Sequence, residues 1–120
     1  MNASVNVEGW KALADQWRLH PRLEKVTRKV TLSVQLESDV SRCYLLIAAG
    51  QIRLFEGSHV RPDFVLEGQE EAIDQVLRGR VDITQPISRG QLRVARGPFL
   101  QALALSRIFG GLVSKEGSAK

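Results

Sequence analysis

Cys43 is the only cysteine in the chain, so the sequence can form neither an internal disulfide nor a cysteine-based zinc cage. It lies in an apolar stretch, where a thiol packs as a small hydrophobic group. Histidine is almost as scarce. His20 sits beside Pro21 at a helix end and His59 in a turn, and both read as solvated surface groups. Two scattered histidines do not give the clustered spacing that a metal ion requires. No serine occupies a G-x-S-x-G setting, and Gly110-Gly111 follows a helix where a phosphate-binding loop would precede one. The acids Glu70, Glu71 and Asp74 are explained better by a helix dipole than as a general acid/base pair. These absences argue against an enzyme and predict no catalytic residue, no metal and no cofactor.

Long hydrophobic runs are also missing. The longest, Cys43 to Gly50, is far short of the ~20 residues that cross a bilayer. The first residues are polar, carry two acids and lack the apolar core of a signal peptide. The chain therefore reads as soluble and cytoplasmic. Its 120 residues suffice for a single core, so the expectation is one domain over 1–120, with about 112–120 as a flexible tail.

The formal charge of +4 is unevenly placed. Arg78, Arg80, Arg89, Arg93, Arg96 and Arg107 face the single acid Asp82 within residues 78–107, while Glu67, Glu70, Glu71 and Asp74 lie just upstream. Such a segment either stays solvated or meets phosphate. Nucleic acid is the less favoured partner. The arginines lack interleaved stacking aromatics and a recognition-helix pattern, so no nucleic acid is expected.

Periodicity supplies the elements. Residues 5–19 read as an amphipathic helix with Val7, Trp10, Leu13, Ala14 and Trp17 on one face, and Pro21 ends it or follows its end. From Arg28 to Glu37, Val30, Leu32, Val34 and Leu36 alternate with polar residues, as in a strand with one wet face. Arg42–Ala49, a shorter strand with Ile52, Leu54 and Phe55, and a fourth opened by Pro62 complete a predicted antiparallel meander. At Gly68 the period becomes 3.6, with Ala72, Ile73, Val76 and Leu77 as an inner stripe and Gly79 as the C-terminal stop. Asp82 or Thr84 can cap a short helix. A fifth strand over Gln91–Arg96 leads to a last helix from Pro98 to Phe109, ended by Gly110-Gly111.

That last helix is apolar nearly all round, with only Gln101, Ser106 and Arg107 polar. A water-facing helix needs an apolar stripe, not a coat, so something covers the surplus. Burial in the core, a ligand wall and an oligomer contact all remain open.

The stretch PDFVLEG, the helix ending in VLRGRVD and the step SRGQLRVARG before the apolar helix resemble the sterol-binding domain of the sterol carrier protein type 2 family. The hairpins and the tryptophan-bearing N-terminal helix fit the same layout, so the resemblance spans most of the chain. It implies an α+β fold with a five-stranded, mostly antiparallel sheet, helices covering one face, and an apolar tunnel between them. It also implies non-catalytic binding and carriage or presentation of a lipid: a fatty acid, acyl-coenzyme A, sterol or isoprenoid. The chain ends in Ser118-Ala119-Lys120 and not in the peroxisomal address of eukaryotic members.

The candidate tunnel lining is Phe64, Leu66, Ile73, Leu77, Ile83, Ile87, Leu92, Leu103, Ile108 and Phe109. Arg89, Arg93 and Arg96 are candidates for an anionic head group or transient contact with an anionic membrane surface. The alternative function is an accessory module whose C-terminal helix docks a partner enzyme or a second copy as a homodimer.

Overall fold

The computed structural model describes residues 4–118, with side-chain surroundings for 7–110. Helix α1 (Ser4–Trp17) buries Val7, Trp10, Ala14 and Trp17 at spacings of three and four, the face that its period predicts. Pro21 follows the end of α1, as one of the two expected placements has it. It also opens a second helix, α2 (Pro21–Thr27), at a first-turn position where its missing N–H leaves no bond unmade. Leu23 and Thr27 form the buried side of α2, and the Thr27 hydroxyl donates to the Leu23 carbonyl at 2.7 Å.

Strands β1 (Leu32–Glu37), β2 (Arg42–Ala48) and β3 (Gln51–Glu56) pair antiparallel in sequence order. Ala49 and Gly50, at φ 52° and 82°, make the two-residue left-handed turn that matches strand twist. The predicted four-strand meander ends there. Strand β4 (Phe64–Gly68) pairs parallel with β1, and β5 (Leu92–Arg96) pairs antiparallel with β4, giving the order β3-β2-β1-β4-β5. The sheet is five-stranded and mixed, with one parallel pairing among antiparallel ones.

The physical reason lies in two polar residues of β1. To reach β4 from β3, residues 57–63 cross the open face of the sheet, and Ser33 and Gln35 tie the crossing segment down. Gln35 accepts from the His59 N–H at 2.8 Å and donates to the Gly57 and Cys43 carbonyls at 3.1 and 3.2 Å. Asp63 accepts from the Ser33 N–H at 2.7 Å, and its own N–H donates to the Ser33 carbonyl at 2.9 Å. Both β1 residues are buried, where alternation alone predicts a wet face. His59 is corrected with them. Its Nδ1 accepts from the Arg61 N–H at 3.0 Å and its ring meets Tyr44 edge-on at 5.1 Å, so it belongs to the strap.

The opposite face is apolar: Val34, Leu36, Leu45, Ile47, Ile52, Phe64, Leu66 and Leu92 are all buried beneath the helices. Helix α3 (Glu70–Leu77) adds Ala72, Ile73, Val76 and Leu77, as predicted, and Gly79 follows at φ 71°. Its acids do more than complement the dipole. Glu70 accepts from the Ser38 and Ser41 hydroxyls at 2.6 and 2.7 Å, closing the β1–β2 turn onto α3. Asp74 accepts from the Trp10 indole and pairs with Arg78. Helix α4 (Thr84–Ser88) begins after Asp82, whose carboxylate accepts from the Thr84 N–H and hydroxyl at 2.9 and 2.7 Å. These bonds hold the Asp82 carboxyl below its ordinary range.

Helix α5 (Phe99–Ser118) corrects the expected stop at Gly110-Gly111. It runs through both glycines, whose small size does not by itself break a helix already established by the residues before them. Of the segment 112–120 expected as a tail, 112–118 stand in this helix and Ala119 and Lys120 lie outside the described residues.

Candidate ligand-binding interior

Each stretch of the candidate lining comes from a different element, and the fold brings all of them to one place. Strand β4 turns Phe64 and Leu66 inward, β5 turns Leu92, α3 contributes Ile73 and Leu77, and the α3–α4 connection contributes Ile83. Helix α5 closes the layer with Ile108 and Phe109. All eight are buried in one apolar cluster, while Ile87 and Leu103 are partly buried against it. A specific hydrogen bond fixes α5 to this layer: the Ser106 hydroxyl accepts from the Ile83 N–H at 2.9 Å.

Sequence reasoning missed three contributors. Trp17 is buried at the end of α1, with its ring 5.0 Å from Phe109. Ala102 and Leu105 are fully buried, whereas Leu103 beside them is not. The stripe Ala102, Leu105, Ile108 and Phe109 repeats at three and four, and reading back from Phe109 at helical spacing would have found it. The interior also holds two polar atoms without partners among the described residues, the Trp17 indole N–H and the Gln101 amide oxygen. Cys43 is buried in the same cluster, and burial pushes its thiol up to about 12.

The head-group candidates are not brought together. Strand β5 runs from Leu92, beside Gly68, to Arg96, beside Val65, which puts Arg89 and Arg96 at opposite ends of it. Arg93 lies between them on the exposed face, and its guanidinium pairs with Glu67 at 2.7 Å. Arg89 lines a surface groove of about 210 Å³ between α3 and α4, walled by Gln69, Gln75, Gln85 and Gln91. A second groove of about 410 Å³ runs between α1 and β3, with Lys11, Arg18 and Phe55 on its walls. None of the candidate lining residues faces either groove.

The basic segment is likewise no continuous stripe, because Arg78 pairs with Asp74 and Arg93 with Glu67. Among the described residues, no group of three or more His, Cys, Asp or Glu side chains can hold a metal ion, and no helix is long and apolar enough to cross a membrane.

A mixed five-stranded sheet with one face strapped and the other buried under an apolar helical layer defines the sterol-carrier-like α+β fold, and solved structures share it. The chain is similar to a UbiJ-SCP2 ubiquinone synthesis protein, with a TM-score of 0.72, 16% identity, and coverage of 90% of this chain and 95% of that one. It is similar to palmitated SCP2L2 from Aedes aegypti, with a TM-score of 0.64, 18% identity, and coverage of 91% and 95%. It is also similar to a sterol carrier protein 2, with a TM-score of 0.59, 18% identity, and coverage of 84% and 87%. No protein-family model matches the sequence, and no curated protein matches it. The fold is SCP2-like along most of the chain.

Proposed function

We propose that the protein binds a lipid without transforming it, and carries or presents it from the apolar layer between the inner face of the sheet and helices α3–α5. The observation that supports this most directly is the composition of that layer. Side chains from β4, α3, β5 and α5 meet there as one apolar cluster, on the fold shared with a palmitated protein and a sterol carrier. A long-chain acyl or isoprenoid guest suits it, since a ubiquinone synthesis protein also has this fold. The lone buried thiol of Cys43 suits a reducing compartment, and the cytoplasm is the proposed location.

Magnitudes favour reversible capture. A fourteen-carbon chain gains on the order of 11 kcal/mol at about 0.8 kcal/mol per methylene. Association and ordering cost about 4–15 kcal/mol. The guest must also part α5 from the sheet, which draws on the same gain. The balance is modest affinity with little discrimination of the head group, as a carrier that releases its cargo needs.

Native mass spectrometry and lipid extraction of freshly purified protein test the reading. A co-purifying acyl or isoprenoid lipid, displaced by added fatty acid, is the expected result. A clean unliganded mass with no uptake of a fluorescent fatty acid would defeat it.

A further inference from the structure

Helix α5 opens with two bare apolar side chains. Phe99 is 46% exposed and Leu100 75%, although Ala102 and Leu105 on the same helix are fully buried. Pro98 before them is exposed as well. The surplus apolar surface that the sequence assigns to this helix is thus concentrated, among the described residues, in its first turn.

Strand directions determine what surrounds that turn. Strands β1 and β4 run parallel and so begin at the same end of the sheet, while β5, antiparallel to β4, finishes there. This end therefore gathers Lys29 ahead of β1, Arg61 ahead of β4, Arg96 at the close of β5, and the start of α5. The approach is tight. Gly97 lies so close to β4 that a Cβ on it would sit 2.5 Å from the Asp63 carbonyl oxygen and 2.4 Å from the Phe64 Cβ.

Lys29, Arg61 and Arg96 are exposed, and their side chains have no hydrogen-bond or ion-pair partner among the described residues. The carboxylates at this end are engaged: Asp63 accepts from Ser33, and Glu24 pairs with Arg28 at 2.6 Å. The start of α5 adds the positive end of a 20-residue helix dipole. Free cations and free apolar side chains coincide at one end of the molecule.

We propose that this end docks on an anionic lipid bilayer, with Phe99 and Leu100 entering the interface and Lys29, Arg61 and Arg96 meeting the lipid phosphates. A bilayer fits better than a protein surface. Two projecting side chains at a helix start form no pocket, and they fall far short of the ~800 Å² that each partner of a stable protein complex buries. Apolar side chains and unpaired cations at the same end of the molecule match the layered chemistry of a membrane surface, acyl chains below phosphates. The proposal extends the carrier reading, because α5 leads from Phe99 and Leu100 at the bilayer to Ile108 and Phe109 in the interior.

The test is co-sedimentation of the full chain with vesicles, using phosphatidylcholine alone and phosphatidylcholine with phosphatidylglycerol in equal parts. Binding is expected to the mixed vesicles, to weaken steeply with salt, and to be slight on phosphatidylcholine alone. The double variant Phe99→Ser/Leu100→Ser should bind at least about tenfold more weakly. Lys29→Gln/Arg61→Gln should lose about fivefold per cation. Both variants should keep the far-ultraviolet circular dichroism of the parent and its uptake of a soluble fluorescent fatty acid measured without vesicles. That second measurement separates docking from carriage, since either can fail alone. Equal binding by parent and variants, or equal binding to both vesicle types, overturns the proposal. So does a solution dimer of the parent that the Phe99→Ser/Leu100→Ser variant dissolves, which would assign the patch to self-association.

Discussion

The Trp10 indole of α1 donates to Asp74 Oδ1 of α3 at 2.8 Å, joining residues 64 positions apart. Trp10 is fully buried, so this carboxylate is the acceptor that makes burial of its N–H tolerable. Asp74→Ala orphans the indole and should cost about 1–3 kcal/mol. A chain of this length then melts roughly 4–12 °C lower. Glu24→Ala breaks the exposed, solvent-screened Glu24–Arg28 pair and should leave the melting temperature close to that of the parent. Thermal unfolding followed by circular dichroism checks both, and equal losses in the two variants would contradict the assignment.

Two glycines should respond to alanine with opposite signs. Gly97 has φ 96° and lies against β4, so Gly97→Ala costs about 1–3 kcal/mol for the backbone alone and a steric penalty besides. Gly110 lies inside α5 with nothing within 4 Å of the place an added methyl would take, and Gly110→Ala should raise stability by about 0.5–1 kcal/mol. Urea titration reads both. A destabilised Gly110→Ala would return Gly110-Gly111 to the role of helix terminator.

Cys43 should be inert in the native state. Burial raises its thiol from 9.0 to about 12, so the folded protein keeps the proton where the unfolded chain gives it up. The sign follows: between pH 9.0 and about 12 the unfolded state binds fewer protons, and stability falls as pH rises through that window. A thiol reagent at neutral pH should modify Cys43 only on unfolding, at a rate that urea accelerates. Rapid modification of native protein would contradict this.

Trp17 should report the arrival of a guest. Its ring lies 5.0 Å from Phe109, and in a Trp10→Phe background it is the sole tryptophan. Adding palmitate should change its fluorescence in parallel with binding. Uptake of palmitate with unchanged Trp17 emission would move the guest away from α5.

The regular parts of this fold were plain in the pattern of residues. Alternation located β1, although it begins at Leu32 and not at Arg28, and the 3.6 period of Ala72, Ile73, Val76 and Leu77 located α3 with its buried face. Strand order was hidden because neighbours in sequence usually pair, and only Ser33 and Gln35 betray the exception. Their polarity marks a strap, not a wet face, and nothing local distinguishes the two. Pro21 was ambiguous for a similar reason, since proline suits both the end of one helix and the first turn of the next. Eight of the ten apolar candidates share one buried cluster because they sit on the inward phase of their elements, while Ile87 and Leu103 are only partly buried against it. Arg89, Arg93 and Arg96 do not come together, because nearness in sequence along a strand is distance in space.

Slotting β4 between β1 and β5 also decides which strands form the margins of the sheet. One margin, β3, has α1 packed along it, and the Lys11–Glu56 pair at 2.9 Å helps hold the helix there. The other, β5, is short, irregular in its pairing at Val65 and Leu66, and carries the charges of Arg93 and Arg96. Both are poor templates for a strand from another molecule. Edge-to-edge pairing between copies is accordingly disfavoured in a protein with so greasy a final helix.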